Sequence, residues 1–201
     1  MKSLILAALI ASPAVAHADD LTKHAGLVGA DFEVMPSGTI EGSAFGFSGT
    51  ASATTAYGVG LTFENQVNEL VSVGLAPRFV FNVKGENDNG DSSNQIDLRA
   101  RVAIGHDLIP KMRVYGFGEP GYSIIFPPNN PNGGNVHPNG FVIAAGGGLS
   151  FELSPTVRAV FELGYQWGFQ SWSYSNGGIN TSGDLKDSYL QLGFGLAAAV
   201  D

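Results

Sequence analysis

The chain has 201 residues, no cysteine, 28 glycines, and 18 acidic against 10 basic residues. That length suits one domain. The lack of cysteine excludes thiol chemistry, cysteine-ligated metal and a disulfide framework, and the acidic balance argues against nucleic acid as a partner.

The first residues read as an export signal. Lys2 supplies a positive start, Ser3 to Ala16 an apolar run too short to span a bilayer as a helix, and Ala16-His17-Ala18 a small-residue cleavage site. Residues 1–18 are therefore expected to be removed, leaving 19–201 as one domain with 18 acidic against nine basic residues, a net charge of −9. Beyond Asp19, Gly, Asn, Asp or Arg interrupts every apolar stretch, so any membrane crossing must be made by a closed barrel of strands.

Period-two alternation recurs eight times, and no helical period persists. Val28, Ala30, Phe32 and Val34 alternate with Gly29, Asp31 and Glu33; Tyr57, Val59, Leu61 and Phe63 with Gly58, Gly60, Thr62 and Glu64. In the third strand Val71, Val73, Leu75, Phe79, Phe81 and Val83 oppose Ser72, Gly74, Ala76, Arg78 and Asn82. The fourth is the clearest: Ile96, Leu98, Ala100, Val102 and Ile104 against Gln95, Asp97, Arg99, Arg101 and Ala103. The fifth, around 112–124, has no clear phase, and Pro120 predicts a bulge there. The sixth sets Ile143, Ala145, Leu149 and Phe151 against small residues, then Ser150 and Glu152. The seventh sets Ala159, Phe161, Leu163, Tyr165 and Trp167 against Arg158, Glu162, Gly164 and Gln166, and the eighth Leu190, Leu192, Phe194 and Leu196 against Tyr189, Gln191, Gly193 and Gly195.

The connections alternate in length. Long polar segments are read at 36–52, 85–94, 127–139 and 170–187, and short turns near 65–68, 107–111 and 154–156. Long loops at one end and tight turns at the other describe an up-and-down membrane barrel, with both termini at the short-turn end.

Charge decides which face points inward. Asp31, Glu33, Glu64, Arg78, Asp97, Arg99, Arg101, Glu152, Arg158 and Glu162 all lie on the polar face of their strands, whereas the lysines after the signal fall at strand ends or in loops. Arginine and carboxylate crowded on one face predict an interior network of bidentate pairs. The opposite, apolar face is then the lipid surface, and Tyr57, Phe63, Trp167, Phe169 and Trp172 are read as rings at the membrane interfaces. A soluble lipocalin-like carrier would need the reverse, with apolar residues inside and arginines outside.

The stretch Gly146-Gly147-Gly148-Leu149-Ser150-Phe151-Glu152-Leu153-Ser154-Pro155, leading into Val160-Phe161-Glu162-Leu163-Gly164-Tyr165, resembles the sixth and seventh strands of the OmpA/OmpX-type outer-membrane β-barrel family. With the signal and the connection order, the resemblance covers nearly all of 19–201. It implies an all-β, eight-stranded antiparallel barrel in the bacterial outer membrane, inserted by the barrel-insertion machinery. That machinery usually reads a terminal aromatic residue, and here Phe194 stands upstream of Leu196-Ala197-Ala198-Ala199-Val200-Asp201.

Eight strands enclose a lumen that side chains fill. The expected role is structural or surface interaction through four long loops, by a monomer whose partners are outer-membrane lipid, the insertion machinery and an extracellular ligand. A small passive channel is the alternative function, and a soluble ligand carrier the alternative fold. No catalytic residue, metal or cofactor is expected. His24 and His106 lie at the short-turn end and His137 in a loop with no nucleophile motif, although Ser123 or Ser171 could approach it. Asp88-Asn89-Gly90-Asp91 lacks the ligand spacing of a calcium loop. Gly58-Val59-Gly60 and Gly146-Gly147-Gly148 have no following helix to bind phosphate.

Overall fold

The computed structural model describes residues 26–44, 47–86, 91–128, 136–176 and 179–200. The export signal, His24 and most of the Asp88 to Asp91 segment lie outside them. Eleven strands form one sheet: β1 (Gly26–Met35), β2 (Gly38–Ala44), β3 (Phe47–Ala53), β4 (Ala56–Gln66), β5 (Val71–Leu75), β6 (Arg78–Val83), β7 (Ser93–Ile109), β8 (Met112–Phe126), β9 (Asn139–Ser154), β10 (Val157–Asn176) and β11 (Ile179–Val200). They make eight antiparallel staves, because β1 with β2, β3 with β4, and β5 with β6 are halves of continuous segments. β5 and β6 part at Pro77, which has no N–H for the ladder; the Pro77 carbonyl still accepts from Leu61 N at 3.1 Å. The ring closes where β1 pairs with β11 from Gly26↔Val200 to Val34↔Leu192.

The alternation is realised as read, with the apolar side turned out. Leu98 is 67% exposed and its neighbour Arg99 1%, so the arrangement required by a lipocalin-like carrier is overturned. The outward band includes Phe32, Leu61, Phe79, Ile104, Leu163 and Phe194. An apolar belt of this extent around a folded chain marks a surface that meets something other than water.

Three sequence expectations are corrected. The eighth-to-seventh connection and the first one are not long loops. Segment 36–52 is mostly β2 and β3, and 170–187 mostly the upper halves of β10 and β11. These staves rise past their neighbours as a four-stranded extension, in the order β10, β11, β2, β3. The reason for the misreading is chemical. In the extension the outward positions Thr39, Glu41, Ser43, Ser48 and Thr50 are polar, and glycine and alanine occupy many inward ones, so the apolar beat that marks the lower strands is absent.

The second correction is β8. It carries no bulge at Pro120: its pairing with β9 runs unbroken from Met112↔Phe151 to Ile124↔Asn139, and its register with β7 is the same at Arg99↔Gly121 and Val102↔Gly118. Pro120 faces outward and costs the ladder a donor without shifting the phase.

The third is where bulges do occur. Pairing of the first stave with β11 steps from Val34↔Leu192 to Gly38↔Tyr189, so an extra residue near Pro36 reverses the inward face. On β6 the register shifts between Val80 and Val83, where Asn82 has φ of 65°. Val83 consequently points inward instead of out, and Asn82 Nδ2 donates to Thr55 O at 2.6 Å. At this level Met35, Ala53, Ala56, Val80, Val83 and Tyr189 form an apolar cluster inside the barrel, with Ile40 against it.

Candidate functional site

Below the apolar cluster, the lumen is crossed by charge. Alternation delivers Asp31 and Glu33 from β1, Glu64 from β4, Arg78 from β6, Asp97, Arg99 and Arg101 from β7, and Glu162 from β10. Arg78 donates to both Asp31 oxygens at 2.5 and 2.6 Å and lies 3.1 Å from Glu33 Oε1. Arg99 meets Asp97 at 2.5 Å and Gln166 Oε1 at 2.6 Å. Arg101 donates to Glu64 at 2.7 Å and to Glu162 at 2.5 Å, with its guanidinium 4.6 Å from the centre of the Phe117 ring.

Sequence reasoning missed the hub. Glu119 of β8 bonds Arg101, lies 3.2 Å from Arg99 Nη1 and 3.5 Å from Arg78 Nη2, and is 1% exposed. One carboxylate thus joins three guanidinium groups. The signal was present: Arg113 and Glu119 share the odd phase of β8, but Pro120 obscured it. Tyr115, also on that phase, donates to Glu162 at 2.7 Å. A second, mainly uncharged layer was not foreseen: Gln191 donates to Gln166 at 2.8 Å, and Gln170 donates to Asp187 at 2.9 Å.

Glycine makes room for this crowd. A Cβ at Gly60 would collide with the Arg78 guanidinium, and one at Gly168 with Asp187. Glycine is needed there because large interior side chains lie across the facing backbone.

Two residues expected in the network stand apart from it. Arg158 and Glu152 are opposite each other in the register of β10 and β9, but neither joins an ion pair among the described residues. Arg158 instead lines a cavity of about 90 Å³ at the short-turn end, together with Asp31, Glu64, Arg101, Arg113 and Glu162. That volume admits a few waters. Arg113 ties down the turn after β4, donating to Glu69 O at 3.1 Å and Leu70 O at 3.2 Å.

The aromatic set divides similarly. Phe63, Trp167 and Phe169 are exposed on the outer face, and Tyr57 lies there between Phe32 and Phe81, its ring 6.3 and 5.7 Å from theirs. Trp172 is the exception. It sits on the inward phase of β10 with its ring over Gly183, where an added Cβ would come within 2.7 Å of the indole. It therefore does not belong to an outward aromatic girdle at the barrel wall.

No described histidine hydrogen-bonds a serine. Ser123 is fully buried in the lumen, His106 is exposed on β7, and His137 lies beside Phe126 with ring centres 5.2 Å apart. No cluster of metal-ligating side chains occurs among the described residues.

No protein-family model and no curated protein matches the chain. Solved structures do. The outer-membrane protein AlkL, determined by solid-state NMR in lipid bilayers, is 13% identical over 92% of this chain and 94% of that one, with a TM-score of 0.63. OprG from Pseudomonas aeruginosa is 16% identical over 86% of this chain and 96% of that one, with a TM-score of 0.54. At such identities the likeness concerns the fold. The chain has the fold of the small outer-membrane proteins, an eight-stranded antiparallel transmembrane β-barrel.

Proposed function

We propose that the protein lies in the bacterial outer membrane and acts as a structural, surface-interaction protein, a rigid barrel that presents a binding surface outside the bilayer. The OmpA/OmpX-type resemblance is part of this proposal. The apolar belt would face lipid, and the ten residues of β1 and eleven of β4 suit the roughly 9–11 tilted residues that cross a bilayer. The extension and the ends of β6, β7, β8 and β9 nearest it would then face the exterior.

The observation that carries the reading is the Glu119 hub. Three arginines and their carboxylates cross the barrel interior, which favours a closed pedestal over the passive channel. In planar bilayers the refolded mature chain is expected to give no steps above the lipid baseline. Stable unitary conductance from the unmodified protein would overturn the pedestal in favour of the channel.

A further inference from the structure

The polar layer of the lumen holds a carboxylate that no cation meets. Glu33, Asp97, Glu119 and Asp187 are the carboxylates buried among the described residues, and the first three each meet an arginine. Asp187 is 3% exposed, and no described lysine, arginine or histidine pairs with it. Its neighbours are neutral: Gln170 Nε2 donates to Oδ1 at 2.9 Å and Gln166 Nε2 to Oδ2 at 3.4 Å. Arg99 bonds the far side of Gln166, and its own charge is answered by Asp97 and Glu119. An ionised carboxylate taken out of water is costly unless a counter-charge meets it.

Lone pairs around it are unmatched as well. Gln170 Oε1, Gln95 Oε1 and Ser123 Oγ are buried without a hydrogen-bond partner, on residues 2%, 1% and 0% exposed. Turning the amides brings no relief. Gln170 and Gln95 give their nitrogens to Asp187 and Asp97, so a flip would set oxygen against carboxylate oxygen. These groups occupy one band of the lumen. Asp97, Ser123, Gly140 and Gln170 share a cross-strand row that continues to Leu185 on β11. Gln95 is one inward step above Asp97, and Asp187 one inward step below Leu185. Gly140 puts no side chain between Ser123 and Gln170, and β7 and β11 are four staves apart, on facing walls of a narrow barrel.

Three occupants differ in what they satisfy. A proton on Asp187 removes the charge but answers at most one orphan oxygen. A water donates to two oxygens and leaves the charge. A cation answers both. One carboxylate balances one positive charge, and a divalent ion would carry a second, unmatched charge into the interior. We propose that Asp187 and Gln170 Oε1 hold a monovalent alkali cation, with Gln95 Oε1 and Ser123 Oγ as neutral donors from β7 and β8. With one free carboxylate, no histidine and otherwise neutral oxygens, the group differs from a transition-metal cluster.

The test uses the whole mature chain refolded in phosphatidylcholine vesicles. Urea midpoints are measured at equal ionic strength in sodium, potassium and tetramethylammonium chloride, the last too bulky for a buried oxygen site. The midpoint should be higher in at least one alkali chloride and rise with its concentration, as for any ligand of the folded state. Asp187→Asn should abolish that dependence, and Gln170→Leu should weaken the apparent affinity about tenfold. Asp107→Asn, at a carboxylate whose side chain is 71% exposed, should leave it intact. The heat-dependent gel shift of each variant shows that the barrel has formed; should Asp187→Asn fail it, Gln170→Leu carries the comparison. Equal midpoints in all three chlorides overturn the proposal, as does an alkali dependence that survives in Asp187→Asn. A midpoint that follows pH and not the alkali cation assigns the counter-charge to a proton and overturns it too. Bilayer conductance is a separate readout: a conducting barrel stabilised by alkali sinks only the pedestal, and a closed barrel indifferent to alkali sinks only the cation site.

Discussion

The lower barrel and the extension are built from the same strands with opposite amphipathicity. In the lower barrel apolar side chains point out and charge points in, as with Leu98 and Arg99. In the extension the outward row Ser48, Ser43, Asp184, Ser171 is polar, and the inward row Phe47, Ala44, Gly183, Trp172 is small or aromatic. On the first stave the change of side coincides with the bulge near Pro36, since an inserted residue reverses every later side chain of its strand. β10 and β11 pair without a register shift along their whole length, and their faces change only in residue type. The teaching is that the outer face is apolar where the transmembrane barrel surrounds a packed charged lumen and polar where the four-stranded extension rises beyond it.

The comparison breaks most severely at the hub. Glu119→Ala removes the carboxylate shared by Arg78, Arg99 and Arg101, leaving buried guanidinium groups short of charge. A loss of about 3–5 kcal/mol is expected, read as a lower midpoint in urea-driven unfolding from lipid vesicles. Arg99→Ala, which leaves Asp97 without its cation and Glu119 with two of its three, should cost a few kcal/mol in the same assay. If both variants unfold with the parent, the network is ornamental to stability.

A smaller effect contrasts the two outer faces directly. Leu163→Arg places a cation on the belt and should cost about 2–4 kcal/mol, whereas Thr50→Arg on the outer face of the extension should stay within about 0.5 kcal/mol. Equal penalties would mean that the two outer faces meet the same medium.

A loss smaller than that of Leu163→Arg concerns the bulge. Asn82 is held at φ 65° and bonded to Thr55 O. Asn82→Ala loses the bond and strains the backbone, an expected cost of about 1–2 kcal/mol. Asn82→Gly should recover part of it, since glycine adopts that φ freely. A glycine variant no better than alanine would place the cost elsewhere.

What was legible in the sequence follows the same division. Where lipid lies on one side, alternation is strict, and Asp31, Glu33, Glu64, Arg78, Asp97, Arg99, Arg101 and Glu162 could be assigned to the lumen from phase alone. Glu119 was obscured because Pro120 suggests an interruption, and only the neighbouring strand β9 shows that the register runs through. Arg158 and Glu152 have the right phase but lie toward the end of the barrel, and phase carries no information about height along the axis. The extension was read as loops because its serines, threonines and glycines obey no apolar beat; its strands are held by pairing to β11, which is long-range and invisible to local pattern. Trp172 was misplaced for that reason, since its face is set by continuing the β10 register beyond the end of β9.

The most direct test exploits the absence of cysteine in the chain. Single cysteines at Leu163 and Thr50, labelled with a fluorophore in lipid vesicles, can be quenched by a nitroxide confined to the acyl chains or by iodide in water. The account predicts that position 163 is quenched by the lipid probe and protected from iodide, and that position 50 shows the opposite. Iodide quenching of both positions, with no effect of the lipid nitroxide, would contradict the membrane-spanning barrel.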